Sequence, residues 1–248
     1  MNKTTSVLVT GSSGRLGRAA VLALQRRGHA VRGFDLTPTT GLEDCVVASL
    51  QDRAALEKAM AGVASVIHLA ATPDDDDFLE RLLPNNLLGL YHTLETARLA
   101  GVRRLVLASS GQVNWWQQME GAFPIRPEDP LSPKAWYAAT KAFMEAIGRT
   151  FVEMHGMSVI IARLGWCPRT PEQVAEIEAS EHFQDIYLSP RDAGLFFACS
   201  VEAPETLRHA VVYATSKPRV RERFDLSSAQ TQIGYTPRDS WPTGCSDF

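Results

Sequence analysis

Thr10-Gly11-Ser12-Ser13-Gly14-Arg15-Leu16-Gly17 joins an apolar run, Ser6-Val7-Leu8-Val9-Thr10, to a segment of helical period. From Arg15 to Arg27, Leu16, Ala20, Ala23 and Leu24 share one helical face, and Gly28 supplies a stop. A glycine-rich turn after a strand and before a helix aims backbone amides and the positive helix end at one spot. A pyrophosphate can sit there. The spacing is GxxGxxG, one residue wider than GxGxxG, and Ala30 to Asp35 reads as the next strand, ending in a carboxylate.

Outward from this unit the same alternation continues. Short β-branched runs at Cys45 to Ala48, Ser65 to Ala71, Arg104 to Ser109, Val159 to Arg163 and His209 to Ala214 predict strands. Helices are predicted at Asp52 to Ala61, Phe78 to Ala100, Pro133 to His155 with Ser132 as cap, Pro171 to His182 and Arg191 to Val201. This order predicts an α/β protein with a Rossmann-type, doubly wound parallel sheet. The pattern loosens after Arg163. Residues 1–164 are therefore expected to form the nucleotide-binding domain with the catalytic residues. Residues 165–248 are expected to form a small substrate lobe packed on it, which also completes the sheet.

Composition narrows the partners. A chain of 248 residues with 45% hydrophobic and 21% charged residues is ordinary for a globular protein. Its net charge of −3 offers no electrostatic reason to expect nucleic acid or an anionic membrane. Cys45, Cys167, Cys199 and Cys245 lie far apart without CxxC spacing, so reduced thiols are expected and no metal site is predicted. The run Asp74 to Asp77 reads as a solvated helix start. Polar residues lead directly into the first strand with no signal-peptide pattern, and a cytoplasmic location is the expectation.

The chemistry-bearing residues lie near predicted strand ends. Asp35 is placed to accept hydrogen bonds from adenosine ribose hydroxyls, which favours NAD, although Arg15 and Arg32 keep NADP open. In Tyr137-Ala138-Ala139-Thr140-Lys141, the phenol and ammonium fall at i and i+4 on one helical face. A tyrosine is a poor base near neutral pH, and Lys141 is expected to lower its pKa. The strand ending at Ser109 delivers Ser110 to the crevice where open α/β sheets bind ligands. Trp115 and Trp116 offer either a stacking face for a sugar or a packing surface.

Taken together, these motifs resemble the extended short-chain dehydrogenase/reductases, the NAD-dependent epimerase/dehydratase family, over nearly the whole chain. The resemblance implies NAD as cofactor, with NADP the lesser alternative, and a cofactor site at Gly11, Ser13, Gly14, Arg15, Leu16, Gly17 and Asp35. It extends through Leu69, Ala70 and Ala71 to Tyr137 and Lys141. It implies a catalytic set of Ser110, Tyr137 and Lys141, with Asn86 bracing the site. Where the family often has an adenine-contacting acid, this chain has Ser49, so Leu50 or Gln51 would take that role. Ser110-Gly111-Gln112 is followed by no carboxylate pair of the kind a sugar dehydratase carries, and the segment after Lys141 is short for a nucleotide-sugar epimerase.

Among short members the chain resembles uronate dehydrogenases most, with Gly111, Gln112 and Trp166 as departures. The resemblance implies oxidation of a sugar or sugar acid, substrate contacts from Ser110, Gly111, Gln112, Trp115 and Trp166, and a substrate arginine at Arg169 or Arg191. It also implies a homodimer through the helices at 78–100 and 133–155. Two other readings stay open at this point: a sugar epimerase that retains its NAD, and a dinucleotide-sensing regulator without catalysis.

Overall fold

The computed structural model describes residues 5–246, so the outer ends of the two expected domains lie outside the described residues. Seven parallel strands form one sheet in the order β3-β2-β1-β4-β5-β6-β7. They are β1 (Ser6–Thr10), β2 (Ala30–Asp35), β3 (Cys45–Val47), β4 (Ser65–His68), β5 (Arg104–Ser110), β6 (Ser158–Leu164) and β7 (His209–Ala214). The order reverses between β1 and β4, and that switch point is where open α/β sheets bind ligands beyond their strand ends. The fold is Rossmann-type, as the alternation predicted.

Strand side chains alternate between two cores. Val7, Val9, Val106 and Ile160 pack on one face, which is covered by α1 (Arg15–Arg26), α8 (Pro190–Glu202) and α9 (Ser227–Ile233). Leu8, Leu105, Leu107 and Ile161 pack on the other face, under α2 (Arg53–Met60), α3 (Gly89–Leu99) and α5 (Trp136–His155). Residues beyond 164 contribute β7 to the sheet and α8 to the first face. Gly194 lets α8 meet α1 closely, since a Cβ there would lie 2.5 Å from the Ala19 carbonyl oxygen.

Several elements differ from expectation. β4 ends at His68, because residues 69–71 turn away from the strand to pass over Gly11. The long third helix is two pieces, a π-helix at Phe78–Leu88 around Pro84 followed by α3; Pro84 lacks an N–H, and its carbonyl accepts from Gly89 in the wide register. Ser132 does not cap α5. Its N–H donates to the Val113 carbonyl and that of Lys134 to the Gln112 carbonyl, so the chain stays extended until Ala135. The segment 171–182 divides into α6 (Pro171–Glu178) and α7 (Glu181–Asp185), the latter capped by Ser180. The sequence reading missed the one-turn 3-10 helix Gly111–Asn114, α4 (Trp115–Glu120) and α9.

Candidate active site

The three glycines of the first loop serve different ends. Gly11 adopts φ +71°, and a Cβ there would lie 2.7 Å from the Ala70 amide nitrogen, so the turn and the chain after β4 cross in contact. At Gly17 a Cβ would lie 2.1 Å from the Gly11 carbonyl oxygen, which rules out any side chain. Gly14 differs: at φ −67° its nearest neighbour would be 3.4 Å away. The protein's own packing does not demand a glycine there, but close approach of a ligand backbone does. No side chain caps α1 and no acid stands in its first turn. The cradle fits a pyrophosphate.

Asp35 closes one side of the loop. Its carboxylate accepts from the Ser13 amide at 2.9 Å and the Leu36 amide at 2.7 Å. Ser12, buried beneath, meets Thr39 at 2.6 Å. The guanidinium of Arg15 donates to the Pro168, Gly244 and Cys245 carbonyls, fastening α1 to the C-terminal segment. Arg32 pairs with Asp44. Leu50 is buried in the core and its carbonyl bonds His92, while the Gln51 side-chain Nε2 donates to the Pro84 carbonyl.

Beyond the loop lies a cavity of about 560 Å³ at the ends of β4, β5 and β6. Leu16, Leu69, Ala71, Ser110, Tyr137 and Lys141 line it, together with Gly111, Gln112, Trp115, Trp166 and Arg169. The sequence therefore grouped residues that the fold brings together. Of the two alternatives for a substrate arginine, Arg169 lines the cavity, whereas Arg191, in the first turn of α8, pairs with Asp239 and does not line it. Trp116, adjacent to Trp115, is 54% exposed and outside the cavity. A separate, more open cleft of about 700 Å³, lined by Arg27, Cys199, Lys217 and Arg238, holds none of the candidate catalytic residues.

Hydrogen bonds hold this arrangement from behind. The Lys141 ammonium donates to the Ala108 carbonyl at 2.9 Å and lies 5.6 Å from the centre of the Tyr137 ring. Burial lowers its pKa to about 8. Asn86 accepts from the Thr72 amide at 2.8 Å and donates to the Thr72 carbonyl and to the Thr140 hydroxyl at 3.2 Å. It thus clamps the loop after β4 to α5 between the tyrosine and the lysine. One turn further along α5, Glu145 is buried. It accepts from Ser109 at 2.6 Å and from Arg163 at 2.8 Å, and Arg163 in turn donates to Tyr213 at 3.1 Å.

The expected depression of the Tyr137 pKa is not what the geometry produces. Burial, followed by the nearby Asp74 charge, pushes the phenol up to about 12, and the Ser110 hydroxyl bonded to it pulls the other way. The Lys141 ammonium is aimed at Ala108, so it does not overcome the burial. His68, behind the site, is held down to about 3 by burial and by Lys141. Its Nδ1 meets Thr10 at 2.9 Å, while its buried Nε2 has no partner.

Several site residues escaped the sequence reading. Asp77 does cap its helix by accepting from the Glu80 amide, as a helix-start acid should. Asp74 and Asp75, from the same run, turn into the cavity wall; Asp75 accepts from the Tyr137 amide at 2.8 Å, and Asp74 pairs with Arg169. Phe224 and Phe183 close the far side, and Gly111 is a glycine because a Cβ there would meet the Phe224 ring at 2.8 Å. Nothing in the local pattern around Phe224 marks it, since its contact is long-range.

A seven-stranded parallel sheet with a glycine cradle at its switch point and a Ser/Tyr/Lys set beside it defines a Rossmann-type dinucleotide enzyme scaffold. Residues 7–166 match the model of the NAD dependent epimerase/dehydratase family, and the chain belongs to that family. It is 30% identical over 259 residues to L-arabinose 1-dehydrogenase (NAD(P)(+)) of Haloferax volcanii, covering 96% of this chain and 98% of that one. It is 26% identical to uronate dehydrogenase of Pseudomonas putida, over 96% and 85% of the two chains. Among solved structures, a tyrosine-to-alanine variant of uronate dehydrogenase from Agrobacterium tumefaciens complexed with NAD superposes with a TM-score of 0.75. It is 25% identical, over 96% of this chain and 86% of that one. Among the described residues, no helix is long and apolar enough to cross a membrane.

Proposed function

We propose that this protein oxidises a sugar or sugar acid at a hydroxyl-bearing carbon, with NAD as the hydride acceptor. The observation that carries the reading is the convergence of Ser110, Tyr137 and Lys141 on one cavity beside a glycine cradle whose middle position, Gly14, is open to a ligand. Gly11, Ser13, Gly14, Leu16 and Gly17 would hold the pyrophosphate, and Asp35 the adenosine ribose. Leu50 would lie near the adenine. Leu69, Ala70, Ala71 and Lys141 would lie along the nicotinamide half. Engagement of Arg15 by backbone carbonyls and of Arg32 by Asp44 leaves these two cations occupied, which favours NAD over NADP. When bound, the oxidised nicotinamide supplies the hydride acceptor and a positive charge.

In this scheme Tyr137 takes the substrate hydroxyl proton, and Ser110 donates a hydrogen bond that orients the reacting oxygen. The Ser110 hydroxyl and, next, the Arg169 charge are the groups that favour the phenolate, and the positive charge of a bound oxidised nicotinamide would add to them. Asn86 keeps Tyr137 and Lys141 in place through Thr140 and Thr72. Residues 165–248 supply the substrate side through Trp166, Arg169, Phe183 and Phe224.

We further infer a cytoplasmic homodimer. Four free thiols suit a reducing compartment. Tyr91, Leu99, Phe143 and Met154 on α3 and α5 are each about half exposed or more, an apolar face that a second copy would cover. Sedimentation of the purified protein tests the pairing. The activity is tested by screening neutral sugars and sugar acids for NADH formation: the reading predicts net NADH from at least one. Cofactor that stays bound while no sugar yields net NADH would overturn it in favour of an epimerase.

A further inference from the structure

Resting on the sugar-dehydrogenase reading, we propose that the Asp74/Arg169 pair makes this cavity select an uncharged aldose over the corresponding uronate. Among the described residues, Arg169 brings the one guanidinium in the cavity wall, and Asp74 pairs with it. Of the other cations there, Lys141 bonds the Ala108 carbonyl, and the exposed Lys134 lies 4.4 Å above the Trp115 ring. Against them stand three carboxylates, Asp74, Asp75 and Glu176. An entering carboxylate would compete with Asp74 for Arg169 and bring a further negative charge near the Tyr137 phenol, where negative charge works against the phenolate.

The position of Asp74 is built rather than incidental. It holds φ +62°, the one non-glycine residue with positive φ among the described residues, and such conformations persist where the surroundings enforce them. Arg169 is held from the opposite side, its amide donating to Gln173 at 2.7 Å. The two loops that follow β4 and β6 therefore meet over the cavity through this pair. What the remaining wall offers suits a neutral polyhydroxyl ring: the Gln112 side chain and the Ser110 and Tyr137 hydroxyls for its oxygens, and Trp115 and Trp166 for its apolar face.

The test compares kcat/KM for D-galactose with D-galacturonate, and for D-glucose with D-glucuronate, pairs that differ only at C6. The wild type should favour the aldose of the accepted pair by about fivefold or more, the scale of a partly exposed ion contact. Asp74→Asn, which tolerates positive φ and frees Arg169, should shift the ratio toward the uronate by about as much. Adding Arg169→Gln should abolish that shift. Preference of the wild type for a uronate, an unmoved ratio in Asp74→Asn, or a shift that survives in the double variant would each overturn the proposal. Absence of NADH from any member of either pair, or from any other sugar, would overturn the dehydrogenase reading itself and this inference with it.

Discussion

The Lys141 ammonium donates to the Ala108 carbonyl at 2.9 Å, tying the second catalytic turn of α5 to the strand that delivers Ser110. The bond offsets only part of the cost of burying this charge, whose pKa falls from 10.5 to about 8. A folded pKa below the unfolded one means that the charged form opposes folding, fully so below pH 8. Lys141→Met should therefore abolish NADH formation while raising the Tm of the cofactor-free protein by several degrees at pH 7. Calorimetry alongside the activity assay checks both. A lower Tm would show that the hydrogen bond outweighs the burial.

The glycine cradle separates ligand binding from folding. Gly17→Ala would drive a methyl into the Gly11 carbonyl and should yield little folded protein. Gly14→Ala has room within the protein, so it should fold with near-normal Tm yet bind NAD at least about tenfold more weakly, because the methyl occupies the space of the pyrophosphate. Equilibrium NAD titration of the folded variant decides this.

Glu145 and Arg163 are a buried ion pair, with side chains 8% and 4% exposed. Removing one partner strands the other, so Glu145→Ala should cost about 3–5 kcal/mol in denaturant unfolding. The double replacement Glu145→Leu/Arg163→Met should recover much of that loss, since no charge is then left buried. Equal losses in the single and double variants would contradict the account.

His68 sets an acid limit. Its folded pKa of about 3 lies below the unfolded 6.5, so the unfolded chain takes up a proton that the folded chain refuses. Stability from this group is complete above pH 6.5 and declines as pH falls toward 3, by up to about 1.4 kcal/mol per pH unit. His68→Asn, which can replace the Nδ1 contact with Thr10, should remove that slope. Unfolding free energies of the two proteins across this range should converge or cross.

Much of this molecule is legible in its sequence because the determining features are local. The glycine turn, the β-branched runs and the i, i+4 spacing of Tyr137 and Lys141 depend on residues close in the chain, and the sheet and catalytic cluster follow from them. The residues that escaped notice act over long sequence separations. Asp75 reaches Tyr137, Asp74 reaches Arg169, and Phe224 packs over Gly111, and no periodicity announces such contacts. The choice between Arg169 and Arg191 stays open in the sequence for the same reason, since Asp239, the partner of Arg191, lies far along the chain. The Tyr137 pKa also depends on burial, which spacing along a helix does not report.

Tyr137 is proposed as the base of a hydride transfer, and the turnover of Tyr137→Phe with an accepted sugar and NAD tests that role. A fall in kcat of about 10²–10⁴-fold is expected, with NAD affinity nearly unchanged. Turnover close to that of the wild type would contradict it.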